Sequence, residues 1–94
     1  MPYEWLPWLA ARLTQAGLTH AEVIEVLDSP RRWPRMSTSK DGLRVLQVWA
    51  RTEAGKPIIV ALRALGGLDW QIIGAKPMTN PQDIADFEEW ESQR

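Results

Sequence analysis

The stretch from Leu43 to Met78, LRVLQVWARTEAGKPIIVALRALGGLDWQIIGAKPM, decides the fold. It contains three runs rich in β-branched and aromatic residues: Leu43 to Thr52, Pro57 to Leu65, and Asp69 to Met78. Their links are short and contain glycine, Glu53-Ala54-Gly55-Lys56 and Gly66-Gly67. A parallel crossover needs a dozen or more residues, so links this short predict hairpins and an antiparallel meander. Upstream, Arg31 to Thr38 is interrupted by Pro34, which cannot donate to a ladder and therefore predicts an edge strand at best. Ser39-Lys40-Asp41-Gly42 carries the Asp-Gly signal of a tight turn. The sheet is expected to have three to four strands.

Helical spacing flanks the meander on both sides. Trp5, Trp8, Leu9, Leu13 and Ala16 recur at helical intervals, with Pro7 near the start and Gly17 as the stop. Thr19-His20-Ala21-Glu22 is a capping box, in which the hydroxyl accepts a backbone N–H and the carboxylate reaches back. Val23, Ile24, Val26 and Leu27 form the stripe of that second helix, which Ser29-Pro30 ends. After the strands, Asn80 and Pro81 suit the cap and first position of a third helix, and Asp83 suits its positive end. Ile84, Phe87 and Trp90 give it a narrow apolar stripe, able to pack on the sheet or on another chain. Helices segregated from a meander predict an α+β domain spanning residues 1–94.

Composition narrows the chemistry. The chain of 94 residues has no cysteine, which excludes disulfides and zinc–thiolate sites, and one histidine, His20, which excludes a multi-histidine metal site. Neither an apolar run long enough for a membrane helix nor a signal-peptide start is visible, so a cytoplasmic protein without membrane contact is expected. No phosphate-binding glycine loop or nucleophile elbow occurs, and neither a metal nor a cofactor is expected.

The formal charge of −1 hides an asymmetry. Eight basic residues, Arg31, Arg32, Arg35, Lys40, Arg44, Arg51, Lys56 and Arg63, are opposed between them only by Asp41 and Glu53. The terminal helix carries five acids, Asp83, Asp86, Glu88, Glu89 and Glu91. Such a division marks either a surface for nucleic acid or another acidic partner, or solvated faces that balance. The six tryptophans serve mainly a small core, and could otherwise stack bases.

Pleat parity places Leu43, Val45, Gln47, Trp49 and Arg51 on one face, Ile59, Ala61 and Arg63 on another such set, and Trp70, Ile72, Gly74 and Lys76 on a third. Each set has apolar residues near the strand middle and a cation at its end. If the registers align, Arg51, Arg63 or Lys76 line one concave edge, where a guanidinium fork or ammonium can meet phosphate oxygens. His20 opens the second helix and is either a surface residue or a group for proton transfer.

Several short motifs are familiar in this order: Glu4-Trp5-Leu6-Pro7, Asp28-Ser29-Pro30, Arg51-Thr52-Glu53-Ala54-Gly55-Lys56 and Ile72-Ile73-Gly74-Ala75-Lys76. From about Trp5 to Phe87 the chain resembles the BrnT-like toxins of the RelE-like ribonuclease superfamily. The resemblance implies a metal-independent endoribonuclease toxin that positions RNA and works through basic residues. Arg51 and Lys76 are carried over as catalytic. Beside them Arg44, Lys56 and Arg63, basic residues of the same strands and turn, are the expected RNA-binding residues. It also implies a tightly bound antitoxin, often of the ribbon-helix-helix type. The chain departs from the family pattern at Gln15-Ala16-Gly17 and in its acidic terminal helix, where Phe87 stands near a usual tyrosine. Two further readings stand beside it. One is a non-catalytic module of the same fold that binds a protein, or a second copy of itself, through Phe87 and Trp90. The other binds RNA or DNA without cleavage.

Overall fold

A computed structural model describes residues 3–38, 40–66 and 69–93. The elements run β1 (Tyr3–Trp5), α1 (Leu9–Gln15), α2 (His20–Asp28), β2 (Trp33–Thr38), β3 (Arg44–Arg51), β4 (Pro57–Gly66), β5 (Asp69–Pro77) and α3 (Pro81–Ser92). The fold is α+β, as expected, with the strands in the order β1-β5-β4-β3-β2. Pairing is antiparallel from β2 through β5, and β1 lies parallel to β5. Among the described residues, no helix is long and apolar enough to cross a membrane. Ser39 of the expected Ser39–Gly42 turn and Gly67 of the Gly66-Gly67 turn lie outside the described residues.

The N-terminal segment departs from its helical spacing. Trp5 belongs to β1, opposite Ile72, and the helix begins only at Leu9, after Trp8 as its cap residue. Leu6 precedes Pro7 and is biased away from helical geometry. The residues before it instead add a fifth strand against the free edge of β5. Gly17 does end α1: at φ +75° it lets Leu18 N–H donate to Leu13 O at 2.8 Å and Gly17 N–H to Thr14 O at 3.1 Å. This is the Schellman arrangement, which satisfies carbonyls the helix would otherwise strand. The capping box of α2 is complete, with Glu22 N–H donating to Thr19 Oγ1 at 3.1 Å and Thr19 N–H to Glu22 Oε1 at 3.0 Å.

The sheet has helices on both faces. Leu9 and Leu13 of α1 and Val23, Val26 and Leu27 of α2 pack with Val48, Ala50, Ile58, Val60, Leu62 and Ile72. On the opposite face α3 lays Phe87, which is 1% exposed, among Trp49, Ile59 and Met78, flanked by Trp33, Ile84 and Trp90. The stripe of α3 therefore packs on its own sheet. Asn80 caps that helix, its Oδ1 accepting from Gln82 N–H at 2.8 Å.

One irregularity changes the parity of β5. Opposite β4 the register passes from Ala61↔Gly74 to Leu62↔Ile72, so Ile73 is an extra residue, a β-bulge. Trp70 and Ile72 consequently belong with the α1–α2 core, whereas Gly74 and Lys76 face the α3 side. The expected common face for all four residues is corrected by that single insertion.

Candidate functional site

The strand registers assemble rows on the α3 side of the sheet. Trp33, Trp49, Ile59 and Lys76 lie side by side across β2, β3, β4 and β5. Arg35, Gln47, Ala61 and Gly74 form the adjacent row. Arg51 lies at the far end of β3, opposite Pro57. Because β3 and β5 run in the same direction on either side of β4, Arg51 and Lys76 share one face and one end of the sheet. Arg63 does not join them. It is near the other end of β4, opposite Gln71, because an antiparallel neighbour reverses the order of its residues.

Arg51 is held by the protein itself. Its Nε and Nη2 donate to Glu91 Oε2 and Oε1, both at 2.9 Å, and Nη1 donates to Gly55 O at 3.0 Å. Its guanidinium carbon lies 5.5 Å from the centre of the Phe87 ring. The hydrogen bond to Glu91 raises the Arg51 pKa above its ordinary value, against some desolvation. The same bond holds the Glu91 carboxyl below the usual glutamate range. Arg31 Nη2 donates to Glu91 O at 2.8 Å, so two arginines hold the last turn of α3. The adjoining cavity, about 340 Å³, is bordered by Glu25, Asp28 and Glu53 as well as Arg51. Three carboxylates there oppose an anionic ligand.

The residues expected to bind RNA are dispersed. Lys56 Nζ lies 3.5 Å from Glu22 Oε2 and donates to Gly17 O at 3.2 Å. It thereby ties the β3–β4 turn to the end of α1 and the start of α2. Glu25 Oε1 reinforces that tie by accepting Glu53 N–H at 2.9 Å. Arg63 Nε donates to Gln71 Oε1, and Gln71 Nε2 donates to Glu4 Oε1 at 3.3 Å, joining β4, β5 and β1. Arg44 is exposed at the start of β3, opposite Thr38, with parity that sets it on the α1–α2 side. His20 stacks on Trp5, ring centres 4.3 Å apart. None of these side chains converges with Arg51 or Lys76 on a common site.

A different set lies along the same face of the sheet. Arg35 lies over the rings of Trp33 and Trp49, at 4.4 and 4.7 Å. Trp33 is in turn stacked on Trp90 of α3, with centres 5.5 Å apart and planes 7° from parallel. Cation–π contact fixes the plane of Arg35 while leaving its in-plane donors available. Trp49 Nε1 donates to Gln47 Oε1 at 3.0 Å, which orients the Gln47 amide. Beside it, Gln47, Ile59, Ala61, Gly74, Ala75 and Lys76 border an open depression of about 180 Å³. Lys76 is exposed there. Sequence reasoning counted Arg35 only within the basic middle and did not single out Gln47. The available signals were a glutamine amid apolar residues in β3 and a glycine inside β5.

Among the described residues, no group of three or more histidine, aspartate or glutamate side chains is placed to hold a metal ion. No protein-family model matches the chain, and no curated protein matches it.

Proposed function

We propose that this chain is an RNA-directed toxin of the RelE-like kind, a small cytoplasmic endoribonuclease whose working surface is the α3-side face of the sheet. The observation that carries this reading is the shared placement of Lys76 and Arg51 on one face and at one end of β5 and β3, with Arg35 on the same face. RNA cleavage without a metal proceeds by attack of a ribose 2′-hydroxyl on the adjacent phosphorus, its proton passing to water, with departure of the 5′-oxygen, which takes up a proton from water as it leaves. Charge builds on the phosphoryl oxygens in that step, and a fixed cation nearby lowers its barrier. Lys76 is the exposed candidate for that role. Arg51 would join it when Glu91 yields its place to a phosphate. A protein antitoxin, of the ribbon-helix-helix type that accompanies such toxins, would neutralise the chain.

A second reading is favoured by the Arg51–Glu91 pair. A chain whose basic centre is permanently filled by its own carboxylate would serve as a non-catalytic binding module of the same fold. Expression of the chain alone separates the two. The toxin reading expects growth arrest and fragmented cellular RNA, both relieved by Lys76→Ala. Robust growth with intact RNA would leave the binding module.

A further inference from the structure

Gly74 occupies the interior of β5, where glycine is a poor choice. It forgoes a side chain that could pack, and it loses more backbone freedom on folding than any other residue. Backbone geometry does not require it. Positive φ angles are found at Gly17, Gly42 and Gly55, not at Gly74, and the extra residue of the bulge is Ile73. Crowding does not require it either, since a Cβ at Gly74 would have no atom within 4 Å. What glycine provides is the depression above it, with Ala61, another small residue, directly opposite.

The chemistry of that depression differs from that of two larger cavities. The cavity beside Arg51 includes Glu25, Asp28 and Glu53, and one of about 240 Å³ beside α3 includes Asp86 and Glu89. The Gly74 depression has no carboxylate on its border and has the ammonium of Lys76. Lys76 is exposed, and Gln47 uses its Oε1 for Trp49, so the ammonium and the Gln47 amide nitrogen can both donate to a ligand in the depression. At about 180 Å³ it is smaller than sites for whole drug-sized ligands, which begin at roughly 300 Å³. A single flat ring system suits it. Three strand spacings, about 14 Å, separate Arg35 in β2 from Gly74 in β5. The two cations, Arg35 and Lys76, thus flank the apolar floor rather than sharing one point.

We infer that this depression is a nucleobase subsite for single-stranded RNA. One base lies over Ala61 and Gly74, its acceptors meet the Gln47 amide, and the flanking phosphates meet Lys76 and Arg35. The inference rests on the RNA-directed reading above and names the part of the face that grips a base.

The test uses the full chain and a short, fluorescently labelled 2′-O-methyl RNA, which lacks the nucleophile for cleavage, with affinity read by anisotropy. Gly74→Val fills the depression with a residue suited to strands. Its Tm should equal or exceed that of the wild type, while affinity falls by up to about tenfold, the scale of one lost base-edge hydrogen bond. A matching oligonucleotide with its bases removed should bind the wild-type chain more weakly, and should bind Gly74→Val no differently from the intact strand. Wild-type binding that is indifferent to base removal would overturn the subsite without any variant having to fold. RNA binding unchanged by Gly74→Val would overturn it too, and would leave the RNA-directed reading standing. A wild-type chain that binds no RNA even at low salt would remove the RNA-directed reading first, and the subsite with it.

Discussion

Arg51, at the end of β3, and Glu91, in the last turn of α3, form a two-pronged ion pair with both N···O distances at 2.9 Å. They are 40 residues apart in sequence, and their contact fixes the terminal helix over one end of the sheet. A bidentate carboxylate has the shape of the phosphate contact that an arginine fork makes. Glu91 therefore fills the fork in which an anionic ligand would otherwise meet Arg51. Of the two cations on this end of the face, Lys76 meets solvent and Arg51 meets its own chain.

Glu91→Gln removes the charge with little change of shape. Arg51 is about a third exposed, so solvent screens the pair and the expected loss of stability is about 0.5–1 kcal/mol. Urea denaturation should show that small decrease with an unchanged m-value. RNA affinity should rise, and its salt dependence should steepen by about one phosphate contact. Equal affinity in both proteins would mean that Arg51 stays out of reach even when unpaired.

Lowering the pH should release the same contact. Glu91 has a folded pKa below its unfolded value, so its contribution is present above the ordinary glutamate range and is lost as pH falls through the depressed folded value. A stability profile from neutral to strongly acidic pH should decline for the wild type. The difference between wild type and Glu91→Gln should shrink over that acid range and be constant above it.

The anchoring of α3 should depend mainly on Phe87. That ring is 1% exposed and sits in a cluster with Trp49, Ile59 and Met78. Truncating such a residue costs the transfer free energy and leaves a cavity, so Phe87→Ala should destabilise the chain by about 3–5 kcal/mol. Thermal unfolding provides the measurement. A loss below about 1 kcal/mol would mean that the helix holds on through its arginine contacts instead.

The cations themselves divide by role. Lys56→Ala should lower stability by roughly 0.5–1 kcal/mol, because Lys56 bonds Gly17 and pairs with Glu22, yet it should leave RNA affinity unchanged. Lys76→Ala should do the reverse, with stability within about 0.5 kcal/mol of wild type and weaker RNA binding. Denaturation and anisotropy on both variants would show whether the two effects separate.

Local chemistry was legible where a few neighbouring residues decide the outcome. Thr19 and Glu22 fix the start of α2, Asn80 and Pro81 that of α3, and the short Gly55 turn fixes the β3–β4 hairpin. Relations between distant segments were less legible. Trp5 looked helical because it keeps helical spacing with Trp8 and Leu9, while the vacant edge of β5 that recruits Tyr3 to Trp5 is visible only in the assembled sheet. Ile73 reverses the parity of half a strand, and no residue type announces a bulge there. The acidic character of α3 was plain, but its specific consequence, Glu91 in the fork of Arg51, required the packing of Phe87 to place it. Lys56 and Arg63 read as surface cations because their carboxylate and amide partners lie in other elements.

Backbone amide chemical shifts of the isotopically labelled chain, followed as a non-cleavable single-stranded RNA is added at low salt, test the central claim most directly. The account predicts that the largest changes fall on Arg35, Gln47, Ala61, Gly74 and Lys76, with little movement around Glu25 and Asp28. Changes centred on the carboxylate-lined cavity at α2, or no changes at all, would contradict it.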